Sequence, residues 1–133
     1  MKSNHWILFG AAMAAIGVVA GAFGAHWLEA QTLAGLKTAR QVEAFKTAAH
    51  YQLIHAIGLI VLGLFRSESR AGRMAGYNFV AGIILFSGSI YLWVLAGAAE
   101  VVRIVPAGGL AFIVGWCALA VAAYQQQTPS RRS

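Results

Sequence analysis

Four long apolar runs, at residues 6–25, 48–65, 76–99 and 104–124, constrain this chain more than any other feature. None of them contains Asp, Glu, Lys or Arg. A helix of about 20 apolar residues is long enough to cross the roughly 30 Å hydrocarbon core of a bilayer. The runs therefore predict an all-α integral membrane protein, a four-helix bundle formed by one domain over residues 1–124.

Composition supports a lipid environment. The chain is 59% hydrophobic and only 11% charged, whereas about a quarter of the residues in a soluble domain are charged. So few polar side chains cannot cover a soluble surface, but a lipid-facing surface needs none. The net charge of +6 comes from basic residues between and beyond the runs. This distribution is typical of membrane topology and lipid headgroup contact and argues against nucleic acid as a partner.

The segments outside the runs have three distinct characters. Met1 and Lys2 resemble the start of a signal peptide, but the first run is longer than a signal core, so we expect a retained span. Residues 27–47 alternate apolar and charged positions, which predicts an amphipathic helical segment, one helix or two, on the membrane surface before the second span. Residues 125–133 are polar and contain Pro129, so we expect a disordered tail.

Basic residues also predict the orientation. With four spans, one side of the membrane receives both termini and the link between the second and third runs. That side holds Lys2, Arg66, Arg70, Arg73, Arg131 and Arg132, and the other holds Lys37, Arg40, Lys46 and Arg103. Because cytoplasmic segments carry more Lys and Arg, we expect the amino and carboxyl termini in the cytoplasm of a bacterial plasma membrane.

Small residues form a stripe along the first and fourth runs. Small side chains let membrane helices approach closely, which is how such helices associate. Placed at 100° per residue, these positions fall on one face of each helix. The helix-packing residues predicted in this way are Gly10, Gly17, Gly21 and Gly24 in the first run, and Gly108, Ala111 and Gly115 in the fourth.

Polar residues within and beside the apolar runs are the candidate functional groups, because polar side chains are costly inside a membrane. A candidate polar seam consists of His26, Tyr51, Gln52, His55, Ser87 and Tyr91, and a predicted interfacial charged cluster consists of Glu43, Lys46 and His50. Interhelical hydrogen bonding and a proton-handling or ligand-binding role are both open for His55. For Glu43, Lys46 and His50 we expect ion pairs between residues three and four apart.

Catalytic and metal motifs are absent from the sequence. The only cysteine, Cys117, lies within an apolar run, and His50 and His55 are five residues apart, which does not place them on one helix face. Neither a nucleophile with its base nor a carboxylate pair occurs within a run. The sequence therefore predicts no enzyme, no metal and no bound cofactor.

Four sequence blocks together resemble a known family. They are GAFGAH at 21–26, FKTAAHYQLIHA at 45–56, LFSGSIY at 85–91, and PAGGLAF at 106–112 followed by Gly115 and Trp116. In this order they resemble the YgdD/YwdK-like small bacterial membrane proteins, whose function is unknown and which have small eukaryotic transmembrane relatives. Val105 stands where that family suggests threonine. The resemblance implies a multi-pass protein of the plasma membrane and supplies no reaction.

Three functional hypotheses follow. The first is a non-catalytic protein with an accessory, assembly or membrane-organising role, whose partners are the lipid bilayer and a homo-oligomer or larger membrane complex. The second is a small oligomeric transporter or channel lined by Tyr51, Gln52, His55 and Ser87. The third is a redox protein that uses His26 and His55 with haem or quinone.

Overall fold

The computed structural model describes residues 3–127, and helices are the only regular elements in that range, which confirms the predicted all-α fold class. Four helical stretches are long and apolar enough to cross a membrane: Asn4–Leu33, Ala39–Phe65, Arg70–Ala96 and Ala99–Gln127. They are called the first to fourth spans below. Each is longer than the apolar run that predicted it, because helix continues into the polar flanking residues.

Short π or 3-10 segments interrupt three of the spans. The first consists of α1 (Ser3–Phe23), a π turn (Gly24–Leu28) and α2 (Glu29–Leu33), and the second is α3 (Ala39–Phe65). The third consists of α4 (Arg70–Gly82), a π segment (Ile83–Gly88) and α5 (Ser89–Ala96). The fourth begins with a 3-10 turn (Ala99–Ile104) and continues as α6 (Val105–Gln127). Residues 125–127, expected in a disordered tail, are thus helical, and the rest of that tail lies outside the described residues.

The segment 27–47 is helical as expected, but it does not form an element separate from the spans. Its first part ends the first span, its last part begins α3, and only residues 34–38 are non-helical. Gly35 adopts φ +72°, a conformation that favours glycine. Thr38 then caps α3, because its hydroxyl accepts from the Gln41 amide at 3.2 Å while the Gln41 side chain accepts from the Thr38 amide at 3.0 Å.

The first span packs along the second, and three glycines of the predicted stripe permit the close approach. A Cβ at Gly10 would lie 2.7 Å from the Ala56 carbonyl oxygen, and one at Gly17 would lie 2.9 Å from Leu53 Cγ. Gly24 packs in the same way against Phe45. For Gly21 the expected packing contact is wrong, since a Cβ there would meet no atom within 4 Å among the described residues.

The third and fourth spans interlock through glycines and aromatic rings. Gly108 packs directly on the backbone of the third span at Phe86, and a Cβ at Gly115 would lie 2.6 Å from the Phe79 ring. Ala111 lies between these two glycines on the same stripe and is partly buried. In the reciprocal contact, Phe112 of the fourth span packs against Gly82 of the third, and this contact was not predicted from the sequence.

Two apolar clusters form the core and mark its two ends. The cluster near the termini includes Trp6, Leu59 and Phe79, and the other includes Leu28 and Val94 near the opposite ends of the spans. Contacts of the second span with the third join the two tight pairs into one bundle. The polar residues of the candidate site lie between these clusters, on neighbouring turns of α3 and the third span.

Candidate functional site: a polar layer and an aromatic groove

Gln52 connects three spans at the middle of the bundle. Its side chain is 2% exposed. The amide nitrogen Nε2 donates to the Met13 carbonyl of the first span at 2.8 Å, and Oε1 accepts from the Tyr91 hydroxyl of the third span at 2.9 Å. Gly17 makes the first bond accessible, because it lies one turn beyond Met13 and admits the Gln52 and Leu53 side chains. Both ends of this buried amide are therefore used to hold helices together.

Ser87 makes a second bond between helices. Its side chain is fully buried, and the hydroxyl donates to the Ala48 carbonyl of α3 at 2.8 Å. Ser87 lies in the π segment Ile83–Gly88, where one wider turn changes the direction of the following side chains. Ser87 and Tyr91 both bond the second span, one turn apart, so the third span is attached to α3 at two successive polar contacts.

His55 lies on a different side of α3 and bonds within its own helix. It is 3% exposed, and its Nδ1 lies 2.6 Å from the Tyr51 carbonyl oxygen. A carbonyl can only accept, so Nδ1 carries the proton and the neutral ring presents Nε2 as an acceptor. The Phe112 ring stacks on the imidazole with centroids 3.4 Å apart and planes 11° apart. We expected a hydrogen bond from His55 to another helix. In the described residues its closest ring contact with another helix is instead the stacked ring of Phe112 in the fourth span.

A groove of about 790 Å³ lies between the second and fourth spans beside His55. Its walls are mainly aromatic and aliphatic. The polar-edged and aromatic lining residues are His50, Tyr51, His55, Phe86, Phe112 and Trp116. Ile54 and Leu110 at its edges are exposed on the outer surface of the bundle, so the groove opens sideways toward the surrounding lipid.

The six residues of the candidate polar seam do not share one route. Tyr51 and His55 face the groove between the second and fourth spans. Gln52 and Tyr91 border a separate groove of about 580 Å³ between the first and third spans, and Ser87 is enclosed at a helix contact. His26 is exposed in the π turn at the end of the first span. No hydrogen bond or ring contact within residues 3–127 joins His26 to His55.

The interfacial charged cluster forms a different ion pair from the one expected. Lys46 bonds Glu29 of α2, so the pairing joins the first span to the second instead of joining Lys46 to its helical neighbour Glu43. Glu43 and Lys46 border a small shared surface cavity of about 300 Å³, whereas His50 lies at the rim of the aromatic groove. The prediction of pairs within Glu43, Lys46 and His50 is thus wrong, because α2 brings a carboxylate closer.

Two groove residues that were not predicted as site residues come from the fourth span. Phe112 and Trp116 are one helical turn apart and supply the aromatic wall opposite His55. Their spacing of four residues was a signal that they share a face.

The contact of Lys37 with the third span was also not predicted from the sequence. Its Nζ donates to the Val94 carbonyl at 2.5 Å, at the end of that span. Among the described residues, no group of three or more His, Cys, Asp or Glu side chains is placed to hold a metal ion.

These features define a class, a four-span helical membrane protein with a lateral groove and with a polar layer, the hydrogen-bonded residues Gln52, Ser87 and Tyr91. A family model described as "Protein of unknown function (DUF423)" matches residues 20–109. The chain belongs to this DUF423 family. The resemblance that its four sequence blocks indicated is therefore confirmed.

Similar proteins from several bacteria are named as membrane proteins. The UPF0382 membrane protein YwdK of Bacillus subtilis is 37% identical over 122 residues, 89% of this chain and 94% of that protein. A UPF0382 membrane protein of Staphylococcus epidermidis is 36% identical over 88% of this chain and 93% of its own length. One from Haemophilus influenzae is 30% identical over 84% and 86%. No solved structure matches.

Proposed function

We propose that this protein is a non-catalytic component of the bacterial plasma membrane, an accessory or assembly partner of other membrane proteins. The observation that carries the proposal is the use of Gln52, Ser87 and Tyr91. All three make hydrogen bonds between helices, so these three polar groups hold the bundle together. Polar side chains used in this way stabilise a membrane fold instead of exchanging protons or ions with a pathway.

The same geometry speaks against transport through a single bundle. A route lined by Tyr51, Gln52, His55 and Ser87 needs these side chains around one cavity. The structure distributes them over two grooves and one enclosed contact. The haem hypothesis requires His26 beside His55, and His26 instead lies near Glu29 at one end of the first span. The geometry therefore favours the accessory role over a polar route within one bundle and over haem held by His26 and His55.

The first and fourth spans leave the largest share of their apolar residues exposed, since they are less buried than the second and third. Leu8, Val18 and Val19 of the first span are more than half exposed. In the fourth span, Leu110 and Ile113 are similarly exposed. These apolar faces are those on which lipid or another membrane helix would pack.

The orientation belongs to the same proposal. The side of the membrane that we assign to the cytoplasm holds the greater number of basic residues. On the opposite side, Lys46 pairs with Glu29 and Lys37 donates to the carbonyl of Val94. Two of the four cations on that side are thus engaged within the protein, and the excess of Lys and Arg on the other side supports its assignment to the cytoplasm.

Crosslinking in intact membranes tests the accessory role. Cys117 is the only cysteine and is exposed on the fourth span. Labelled with a maleimide photocrosslinker and irradiated, it should give one discrete protein adduct in near-stoichiometric yield, and the Cys117→Ser protein should give none. A second labelled version, Cys117→Ser with Ala15→Cys, probes the exposed face of the first span. If both positions give only lipid adducts and the extracted protein has the mass of a single chain, the accessory role is wrong.

A further inference from the structure

The groove between the second and fourth spans contains an unused hydrogen-bond acceptor. His55 is almost fully buried, and its only hydrogen bond within the described residues is made by Nδ1. No fully buried side-chain nitrogen or oxygen in that part of the chain lacks a partner. Since His55 lines the groove, Nε2 is open to it. The imidazole is held in place by Phe112 and by the Tyr51 carbonyl, so its lone pair has a fixed direction.

The depth of this acceptor limits the charge of its ligand. Twenty residues separate Lys46 from Arg66, and at 1.5 Å per residue this is about 30 Å, the thickness of the hydrocarbon core. His55 lies nine residues from Lys46, about 13.5 Å inside and close to the bilayer centre. An ion or a phospholipid headgroup is costly at that depth. A ligand that uses this acceptor must therefore be uncharged and must carry a donor, for which a hydroxyl is a common group in membrane-soluble molecules.

The size and walls of the groove limit the shape. Its volume of about 790 Å³ falls in the range of roughly 300–1,000 Å³ that small-molecule sites occupy. A membrane-spanning helix 30 Å long and 10 Å wide fills roughly 2,400 Å³, which is too large. Tyr51, Phe86, Phe112 and Trp116 provide ring surfaces beside the acceptor. Aromatic rings pack on one another in offset or edge arrangements, so these walls favour an aromatic ligand over a flexible chain.

Gly109 keeps the groove open. It lines the groove, and a Cβ at this position would meet no described atom within 4 Å. Its neighbour Gly108 differs, since it packs on the backbone at Phe86. Gly109 thus has no role in close helix packing, and a larger side chain there would occupy the space beside His55 without disturbing the bundle.

We propose that the groove binds an uncharged, membrane-soluble aromatic hydroxyl compound, a phenol or quinol, whose hydroxyl donates to Nε2 of His55. The ring lies between the aromatic walls, and any aliphatic tail extends sideways into the lipid. The groove shares Leu110 and Ile113 with the exposed face of the fourth span, but this proposal does not rest on the accessory role. Ligand binding in nanodiscs and crosslinking at Cys117 are measured separately, so either result can fail without the other.

Binding of radiolabelled 4-octylphenol to the full-length protein in lipid nanodiscs tests this site, with empty nanodiscs as the measure of partitioning. We expect saturable binding of one molecule per chain. His55→Phe keeps the ring stacking but removes the acceptor and should weaken binding about 10-fold, because the buried hydroxyl loses its partner. His26→Phe, the same change at an exposed position outside the groove, should have no effect.

Two further comparisons separate the ring from the hydroxyl. The methyl ether 4-octylanisole cannot donate, so it should bind wild type and His55→Phe equally. Gly109→Leu should abolish binding, and Gly21→Leu, which also enters open space but outside the groove, should leave it unchanged. The proposal is overturned by equal 4-octylphenol binding to wild type and His55→Phe, by full binding to Gly109→Leu, by dodecanol binding as tightly as the phenol, or by no saturable binding. Should His55→Phe fail to fold, Gly109→Leu still decides, and so does wild type alone, which should bind the ether about 10-fold more weakly than the phenol.

Discussion

The bond between Gln52 and Tyr91 should couple the second and third spans energetically. Their side chains meet at 2.9 Å in the interior of the bundle. Hydrogen bonds between membrane helices contribute about 0.6 kcal/mol on average and up to about 1.7 kcal/mol. Gln52→Leu removes this bond and the one to Met13, so we expect it to lower the free energy of unfolding by about 1–3 kcal/mol. Tyr91→Phe removes only one bond and should cost about 0.6 kcal/mol or somewhat more.

A double-mutant cycle isolates the interaction. Once Gln52 is Leu, the Tyr91 hydroxyl has no acceptor there, so removing that hydroxyl should cost less than it does in wild type. The coupling should be about 0.6–1.7 kcal/mol. Unfolding of the purified protein by dodecyl sulfate in mixed micelles, followed by circular dichroism, measures each free energy.

The matched control for this cycle is Asn78→Leu combined with Tyr91→Phe. Asn78 donates to the Met74 carbonyl of its own helix at 2.9 Å, so its loss should add to that of Tyr91 without coupling. If Gln52→Leu and Tyr91→Phe also add within about 0.3 kcal/mol, the layer does not join the helices as argued.

The other expectations concern packing, the second polar contact and topology. Gly10→Leu should lower the free energy of unfolding by about 1–3 kcal/mol, because the new side chain meets the Ala56 carbonyl. Gly21→Leu should change this free energy by less than about 0.5 kcal/mol. The same micelle titration measures both, and equal effects would contradict the packing geometry. Ser87→Ala should cost about 0.5–1.5 kcal/mol in that titration, and an unchanged midpoint would show that its hydroxyl contributes nothing. Alkaline phosphatase fused after residue 133 should be inactive, since it requires export; activity there would reverse the orientation.

The sequence predicted the spans well because length and hydropathy are properties of each helix alone. Three glycines of the first stripe lie against the second span and Gly21 does not, for a geometric reason. Gly10, Gly17 and Gly24 are seven residues apart, the repeat of a left-handed helix pair, and Gly21 falls to the side of that line. A wheel at 100° per residue cannot distinguish the two, because it does not contain the partner helix.

The candidate site was less predictable because its partners come from distant spans. Helical spacing assigned Glu43, Lys46 and His50 to one side of α3 and Tyr51 and His55 to another, but His50 lies at the rim of the same groove as Tyr51 and His55. It could not show that Gln52, adjacent to Tyr51, faces the opposite groove and the first span. Nor could it show that the fourth span places an aromatic ring on His55, since this depends on Gly82 receiving Phe112.

One stretch of α3 carries both Gln52, which bonds neighbouring helices, and His55, which lines the groove. The two side chains point in different directions, so substitutions can affect one without the other. Gln52 and His55 are three residues apart, about 60° apart around the axis, with Gln52 bonded to the first and third spans and His55 facing the fourth. The imidazole is fixed by Tyr51 and Phe112, neither of which contacts the Gln52 amide through a hydrogen bond. Gln52→Leu should therefore weaken the fold while 4-octylphenol affinity in nanodiscs stays within about 2-fold, because the change is small beside the about 10-fold loss expected for a missing hydrogen bond. A loss of affinity parallel to the loss of stability would mean that the polar layer and the groove form one cooperative unit.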